Sequence, residues 1–371
     1  LSGSTSGVEA GQTVTVTFGG KTYTATVAGD GSWTTTVPAA DLSALRDGDA
    51  TVQASVSNIN GNTASATHAY SVDATAPTLA INTIATDDIL NAAEAGNPLT
   101  ISGSSTAEAG QTVTVTLNGV TYTGTVLADG SWSVGIPAAN VSAWPAGPLT
   151  VEVTGQSSAG NPVSVSHPFT VDLTAVAISI NTVASDDVIN AAEKGAALTL
   201  SGSTSGVEAG QAVTITFGGK TYTTTVAANG SWSTTVPAAD MAALRDGDAS
   251  AQVRVTNVNG NSATATHEYS VDSAAPTVTI NTIASDNIIN ASEAAAGVTV
   301  SGTSTAEAGQ TLTVTLNGTN YQTTVQADGS WSLTLPASDL TALANNGYTL
   351  TATVSDLAGN PGSASKGVTV D

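Results

Sequence analysis

Short stretches of alternating apolar and polar residues recur along the chain, and residues 74–172 show the pattern in full. Residues 112–117 alternate Thr and Val, and residues 120–126 follow the dipeptide Asn118-Gly119. Such alternation is typical of a strand with one buried face, and Asn-Gly is a strong hairpin signal. Further strands are predicted at 78–82, 99–102, 132–136, 149–154 and 163–171, with one helical turn over 138–144. About seven short strands without an amphipathic helix predict an all-β antiparallel sandwich with Ig-like, Greek-key topology.

The whole pattern returns about every 100 residues, which predicts tandem domains in an elongated string. Asp-Gly-Ser-Trp occurs at 30–33, 129–132 and 328–331, and 229–232 differ only in Asn229. The predicted domains are module 1 (1–73), module 2 (74–172), module 3 (173–272) and module 4 (273–371). Module 1 begins in the second strand of the unit, and we expect this to reflect a cut inside a longer array.

The recurring aromatic residues are predicted to be core residues. Trp33, Trp132, Trp232 and Trp331 each open a strand after a tight turn, in modules that have few other large side chains. Trp144 has no counterpart in the other copies and precedes a proline, so we expect it to be partly exposed.

Composition and charge exclude several classes of function. The chain has no cysteine, so it has neither disulfides nor thiol chemistry. Its net charge of −22, from 29 acidic and 7 basic residues, would repel nucleic acid and anionic membranes but not divalent cations. Neither a transmembrane run nor a signal peptide is present in the sequence. No arrangement of catalytic residues is suggested, so we expect no enzymatic activity.

The densest carboxylate clusters fall where the predicted modules join, and their oxygens suit calcium, which takes roughly six to eight oxygen ligands. The terminal aspartate of one module is grouped here with an acidic run of the next. The predicted metal ligands are Asp73, Asp87, Asp88, Asn91 and Glu94 at the first junction, Asp172, Asp186, Asp187, Asn190 and Glu193 at the second, and Asp272, Asp286, Asn290 and Glu293 at the third. Asn287 replaces an aspartate in the third run, and if this position is a ligand, the third site should bind more weakly.

A second interpretation of the same run is helix capping. Asp87 or Asp88 would then cap a short turn that contains residues 91–94, and both interpretations can hold at once. The loop at 356–360 and its equivalents in the other modules are predicted to be turns, which could also lend an oxygen to a junction ion.

The run 82–94 and the Asp-Gly-Ser-Trp phrase at 129–132 resemble the bacterial Ig-like repeats of giant surface adhesins, especially the biofilm-associated proteins exported by type I secretion. The resemblance covers all four copies. It implies an extender stalk on the bacterial cell surface, outside the cell, with calcium between modules. The expected partners are the neighbouring Ig-like domains of the same chain, and sheet edges rich in Thr and Val could also pair with sister adhesins on other cells. The chain itself is expected to be a monomer.

Two other functions remain open from the sequence. Ligand-binding modules, for glycans or for homotypic cell–cell contact, would require exposed aromatic residues, and Trp144 is the candidate. Accessory modules of a secreted enzyme would require a catalytic domain elsewhere in a longer chain.

Overall fold

The computed structural model describes all residues, 1–371, and divides into two compact units, Leu1–Leu173 and Thr174–Asp371. Each unit contains two of the predicted modules. The nearly all-β, tandem Ig-like architecture expected from the alternating pattern is confirmed.

The first unit contains modules 1 and 2. In module 1 the elements are β1 Ser2–Ser4, β2 Thr13–Phe18, β3 Lys21–Thr26, β4 Ser32–Thr34, α1 Ala39–Leu42, β5 Gly48–Ser57 and β6 Thr63–Val72. In module 2 they are β7 Leu79–Ile81, a 3-10 turn Ile84–Thr86, β8 Ile89–Asn91, α2 Ala92–Ala95, β9 Leu99–Ser105, β10 Thr112–Leu117, β11 Val120–Thr125, β12 Ser131–Ile136, α3 Ala138–Val141, β13 Gly147–Gln156 and β14 Pro162–Asp172.

The second unit contains modules 3 and 4. In module 3 the elements are β15 Ala177–Ile178, a 3-10 turn Val183–Ser185, β16 Val188–Ile189, α4 Ala191–Lys194, β17 Leu198–Ser205, β18 Ala212–Phe217, β19 Lys220–Thr225, β20 Ser231–Val236, α5 Ala238–Ala242, β21 Gly247–Thr256 and β22 Ser262–Val271. In module 4 they are a 3-10 turn Ile283–Ser285, β23 Ile288–Ile289, α6 Ala291–Ala296, β24 Val298–Thr303, β25 Thr311–Leu316, β26 Thr319–Thr324, β27 Ser330–Leu335, α7 Ala337–Leu340, β28 Asn346–Ser355 and β29 Pro361–Val370.

Module 2 shows the sheet topology of a complete copy. A three-stranded sheet in the order β12-β9-β7 faces a five-stranded sheet in the order β11-β10-β13-β14-β8. All neighbours are antiparallel except β8, which runs parallel to the last strand, β14. Modules 3 and 4 place β16 and β23 in the same way beside β22 and β29. In each of these modules, a short strand near the start of the module therefore adds to the edge of the sheet that contains the module's last strand.

The core of each complete module lies between its sheets and is centred on the repeated tryptophan. Trp132, Trp232 and Trp331 are at most 2% exposed, as the sequence predicts. Each pairs across the strands with a glycine, as Trp232 does with Gly202. A Cβ on Gly202 would lie 1.9 Å from the carbonyl oxygen of Ser179 and 2.7 Å from the indole nitrogen, so only glycine fits there.

Trp144 is a core residue as well, and the expectation of partial exposure is wrong. Its side chain is 5% exposed and packs edge-on against Phe169, with 5.9 Å between the ring centroids. The other modules place Leu45, Leu244 and Leu343 at this position after the helical turn. The proline that follows Trp144 ends the turn without directing the indole into solvent.

The repeated sequence phrases form turns and loop anchors. Asp129 accepts hydrogen bonds from the backbone amide (3.0 Å) and hydroxyl (2.6 Å) of Ser131, and the equivalent residues repeat this turn in every module. Glu108 accepts the amide of Ser158 at 2.8 Å, so it anchors the loop between the last two strands. The phrases recur because each module has to close the same two loops.

Module 1 has an open core. It has no counterpart of β7 or of the 3-10 turn, which supply Leu79, Ile81 and Ile84 to the core of module 2. A groove of about 540 Å³ remains between the two sheets, and Trp33 lines it instead of being fully covered.

Candidate metal centre

The two aspartates of the acidic run close a tight turn. Asp88 has a left-handed backbone (φ 63°), and its Oδ1 accepts the backbone amide of Ile84 at 2.8 Å. The same oxygen lies 2.8 Å from Nε2 of His167 on β14. Asp87 accepts the amide of Ile89 at 3.0 Å. The run therefore folds onto itself and onto the last strand of its own module.

These contacts lower the carboxyl pKa values. The pKa of Asp88 is below its usual value, mainly because its carboxylate accepts the amide of Ile84; burial opposes this shift, and the hydrogen bond and charge of His167 lower the pKa further. The pKa of Asp187 in module 3 is lowered by His267 first and by the amide of Val183 second. Both carboxylates are thus ionised and hydrogen-bonded at neutral pH.

The second half of the run is a helix cap. The side chain of Asn91 accepts the amides of Ala93 (3.0 Å) and Glu94 (3.1 Å), while the Glu94 carboxylate accepts the amide of Asn91 at 3.1 Å. This reciprocal arrangement is a capping box, and it recurs at Asn190 and Asn290. Helix capping is therefore present, but the cap is the asparagine and not the aspartates before it.

The structure places the acidic run at the opposite end of the module from the one predicted. Asn91 is paired with Asp172, because β8 lies beside the end of β14. Asp73 is instead next to the start of β14, where Asn161 bonds its carbonyl oxygen at 2.9 Å. The 11 residues of β14 separate the two ends by roughly 33 Å at about 3.3 Å per residue.

Within the two units, the predicted grouping of a terminal aspartate with the run that follows it is therefore wrong, for Asp73 in the first unit and for Asp272 in the second. Each run joins the terminal aspartate of its own module, whose last strand it flanks. The resulting sets are Asn91, Glu94 and Asp172 in module 2, Asn190, Glu193 and Asp272 in module 3, and Asn290, Glu293 and Asp371 in module 4. Asp87, Asp186 and Asp286 accept only a local amide two residues ahead, and they lie in the same short segments.

Within the first unit, the linker between modules 1 and 2 is held by side chains that are not among the predicted metal ligands. Asp47, just before β5, accepts the amide of Ala74 at 2.9 Å and the hydroxyl of Thr75. Asn161 donates to the carbonyl oxygens of Asp73 (2.9 Å) and Thr75 (3.3 Å). These contacts connect the end of one module to the linker and the linker to the next module.

Within the second unit, the linker between modules 3 and 4 has more contacts. Asn360 is 1% exposed, donates to the carbonyl oxygen of Asp272 at 2.9 Å, and accepts the amide of Ala191 at 2.7 Å. It also donates to Asp356 at 3.0 Å. The loop 356–360 of module 4 is thus a turn, as predicted, and it reaches α4 of module 3.

A lysine completes this second linker. Nζ of Lys194 lies 3.1 Å from Oδ1 of Asp246 and 3.0 Å from Oγ of Ser273. Asp246 is the counterpart of Asp47, and both belong to a Leu-Arg-Asp-Gly-Asp phrase that is shared by modules 1 and 3. That shared phrase is the sequence signal that could have identified the two linker aspartates.

Considered as a metal centre, the ends of the modules supply oxygen donors without a preformed cage. No three acidic or histidine side chains in residues 1–371 converge closely enough to hold an ion. The donors are nevertheless carboxylates, amides and backbone carbonyls, the set that suits calcium and not zinc.

None of the helices has the length and apolar character that a membrane-spanning helix requires.

Comparisons with known proteins identify the family. A solved structure described as "Ca2+-stabilized adhesin helps an Antarctic bacterium reach out and bind ice" is 39% identical and aligns over 100% of this chain and 93% of its own, with a TM-score of 0.42. The bacterial Ig-like domain family matches residues 277–371. The chain belongs to the bacterial Ig-like repeats of large adhesins.

Two further solved structures agree with this family. The "tetra-tandem repeat in extending region of large adhesion protein" is 31% identical over 99% of this chain and 94% of its own, with a TM-score of 0.41. A "1.5-MDa bacterial ice-binding adhesin" is 36% identical over 80% of this chain and 98% of its own, with a TM-score of 0.40. Membership follows from sequence identity over these lengths, independently of the superpositions. A comparison with curated proteins finds no match.

Among these bacterial Ig-like repeats, the present chain combines the capping boxes with linker contacts that differ between its modules. Lys194 occurs in one module, and Asp47 and Asp246 occur in two. Any role for an ion is therefore expected to differ from one module end to another.

Proposed function

We propose that the chain is an extender segment of a large bacterial surface adhesin and that calcium stiffens it at module ends. The proposal rests on the 39% sequence identity, over the full length of this chain, to an adhesin described as Ca2+-stabilized. The repeated capping box supports it from the chain's own residues, because each box lies at the same end of its module as the terminal aspartate, as the pairing of Asn91 with Asp172 shows for module 2. The segment would act outside the cell, without enzymatic activity, and would hold other parts of the adhesin away from the cell surface.

The proposed ligands are the capping glutamates and the aspartates that end the modules. Glu94 and Asp172 lie at the end of module 2, and Glu293 and Asp371 lie at the end of module 4. The corresponding pair in module 3, Glu193 and Asp272, is set apart by the lysine that follows Glu193. Each glutamate uses one oxygen, Oε2, in its capping box. Calcium would relieve the repulsion between neighbouring carboxylates in a chain of net charge −22. Without calcium, the same repulsion would keep these module ends loose.

The competing function as a glycan-binding module loses its specific support. It required an exposed aromatic side chain, and the candidate, Trp144, is buried in the core of module 2. Export by type I secretion and a role in biofilm remain part of the proposal, on the basis of the family resemblance.

The test is calcium titration by calorimetry of the full chain, with small-angle scattering in calcium and in chelator. The variant Glu94→Gln removes one charge, yet glutamine can still complete a capping box, so the helix remains capped. Glu268→Gln, at an exposed position of β22, is the matched control. We expect one fewer bound ion, or at least tenfold weaker binding, for Glu94→Gln alone. An absence of binding heat in the wild type, or equal losses in both variants, would overturn the calcium proposal.

A further inference from the structure

The linker between modules 3 and 4 has a positive charge of its own. Lys194 is the last residue of α4 and follows the capping glutamate Glu193 directly. The equivalent residues are Ala95 in module 2 and Ala294 in module 4, both buried. One module of the chain thus places an ammonium group where the others have a methyl group.

Lys194 bridges two segments that are distant in sequence. Its Nζ contacts Asp246, which precedes β21, and Ser273, which lies in the linker itself. Ser273 in turn donates its hydroxyl to Asp246 at 2.8 Å, so the three groups form a closed triangle. The lysine side chain is only 20% exposed, so the contact is partly shielded from water and from salt.

This arrangement conflicts with a calcium ion at the same place. A divalent cation near Asp272 and Glu193 would be repelled by the ammonium group and would have to compete for Asp246. The oxygens that the triangle uses are already hydrogen-bonded. Lys194 already supplies, as one positive charge, part of what calcium would supply as two.

We propose that Lys194 is the resident cation of the linker between modules 3 and 4, and that this linkage stays ordered without a divalent ion. The inference rests on the proposed function only in assuming that calcium orders other module ends. The hydrogen bonds of Asn360 to Asp272 and Ala191 act in the same direction, because they too require no ion.

The test measures the spread of distances across the linker in the full chain. The protein has no cysteine, so spin labels can be attached at two introduced positions. Thr223→Cys and Gln322→Cys lie at equivalent exposed positions on β19 and β26 and report on modules 3 and 4. Thr24→Cys and Thr123→Cys are the corresponding pair for modules 1 and 2.

In the wild type we expect the distance distribution between modules 3 and 4 to have the same width in calcium and in chelator. Lys194→Met keeps the aliphatic chain but removes the charge. In chelator, Lys194→Met should increase the population outside the main distance peak on the order of fivefold. This is the effect expected when one partly exposed, charge-assisted contact is lost. The distance distribution of Lys194→Arg should remain narrow. The distances between the labels in modules 1 and 2 should not change with either substitution of Lys194.

Two results would overturn the inference. One is a wild-type distribution for modules 3 and 4 that broadens in chelator, and the other is a Lys194→Met distribution as narrow as that of the wild type. Failure of the calcium proposal is distinguishable, because it appears as absent binding heat in the wild type and leaves the chelator measurements unaffected.

Discussion

Asn360 should be the most sensitive polar residue of the linker between modules 3 and 4. Its amide is 1% exposed and makes three hydrogen bonds, to Asp272, Asp356 and Ala191, at 2.7–3.0 Å. Asn360→Ala leaves these partners unsatisfied, and the Asp356 carboxylate is itself only 7% exposed. Leaving buried polar partners unpaired costs roughly 1–3 kcal/mol for each group. Because the linker carbonyl can still reach water, we expect a total loss of about 3 kcal/mol.

Hydrogen–deuterium exchange by mass spectrometry is the suitable assay, because it reports on each module of a multidomain chain separately. A loss of about 3 kcal/mol corresponds to roughly 100-fold faster exchange of the most protected amides in β28 and β29. Peptides from modules 1 and 2 should exchange as in the wild type.

Asn161→Ala provides the matched control in the first linker. Asn161 only donates to the carbonyls of Asp73 and Thr75, and both of those residues are exposed to water. Its loss should cost about 1 kcal/mol or less. Less than about fivefold faster exchange in Asn360→Ala, or an equal effect of both substitutions, would refute the importance assigned to the buried amide.

Three further outcomes are expected. Gly202→Ala should destabilise module 3 by about 3 kcal/mol, because the added Cβ would lie 1.9 Å from the carbonyl oxygen of Ser179, whereas Gly3→Ala should cost less, because its Cβ would meet only the indole ring of Trp33. Equal losses of unfolding free energy for the two variants in denaturant would contradict this. The pKa of Tyr222 is raised to about 12, first by burial and then by the hydrogen bond to Asp240, so the stability that this tyrosine contributes should be complete below pH 10 and lost as the pH rises towards 12. Thermal melts over this pH range should show the loss, and the loss should be smaller in Asp240→Asn. Trp144→Ala should cost module 2 about 3–4 kcal/mol, and exchange in β13 that stays as slow as in the wild type would show that the indole is not part of the core.

The strands of a module could be predicted because each uses local alternation or a turn signal. The predicted strand at 112–117 matches β10, and Asn118-Gly119 forms the hairpin with positive φ at both residues (46° and 76°). The burial of the repeated tryptophans also followed, because these modules have few alternative core residues. Exposure of Trp144 was predicted incorrectly because a neighbouring proline fixes the backbone but says nothing about where the side chain points.

The placement of the acidic runs could not be predicted from local pattern. It depends on β8, a strand of three residues that crosses to the other sheet and pairs in parallel with β14. So short a strand has no periodic signal, and its partner is about 80 residues away in sequence. Proximity in sequence to Asp73 therefore suggested the wrong end of the module. The capping box at Asn91, in contrast, is a local pattern and was within reach of the sequence.

The repeats themselves contain information about contacts, because each module is an internal variant of the others. Two modules pair an aspartate of the acidic run with a histidine of the last strand, and module 4 changes both residues together. The pairs are Asp88–His167, Asp187–His267 and Asn287–Lys366. Asn287 still accepts the amide of Ile283 at 3.0 Å, so the turn is kept, while Lys366 turns to the carbonyl oxygen of Ile280 at 3.2 Å. The joint exchange is explained by side-chain pairing within the module, so Asn287 is not in itself a reason to expect weaker calcium binding there.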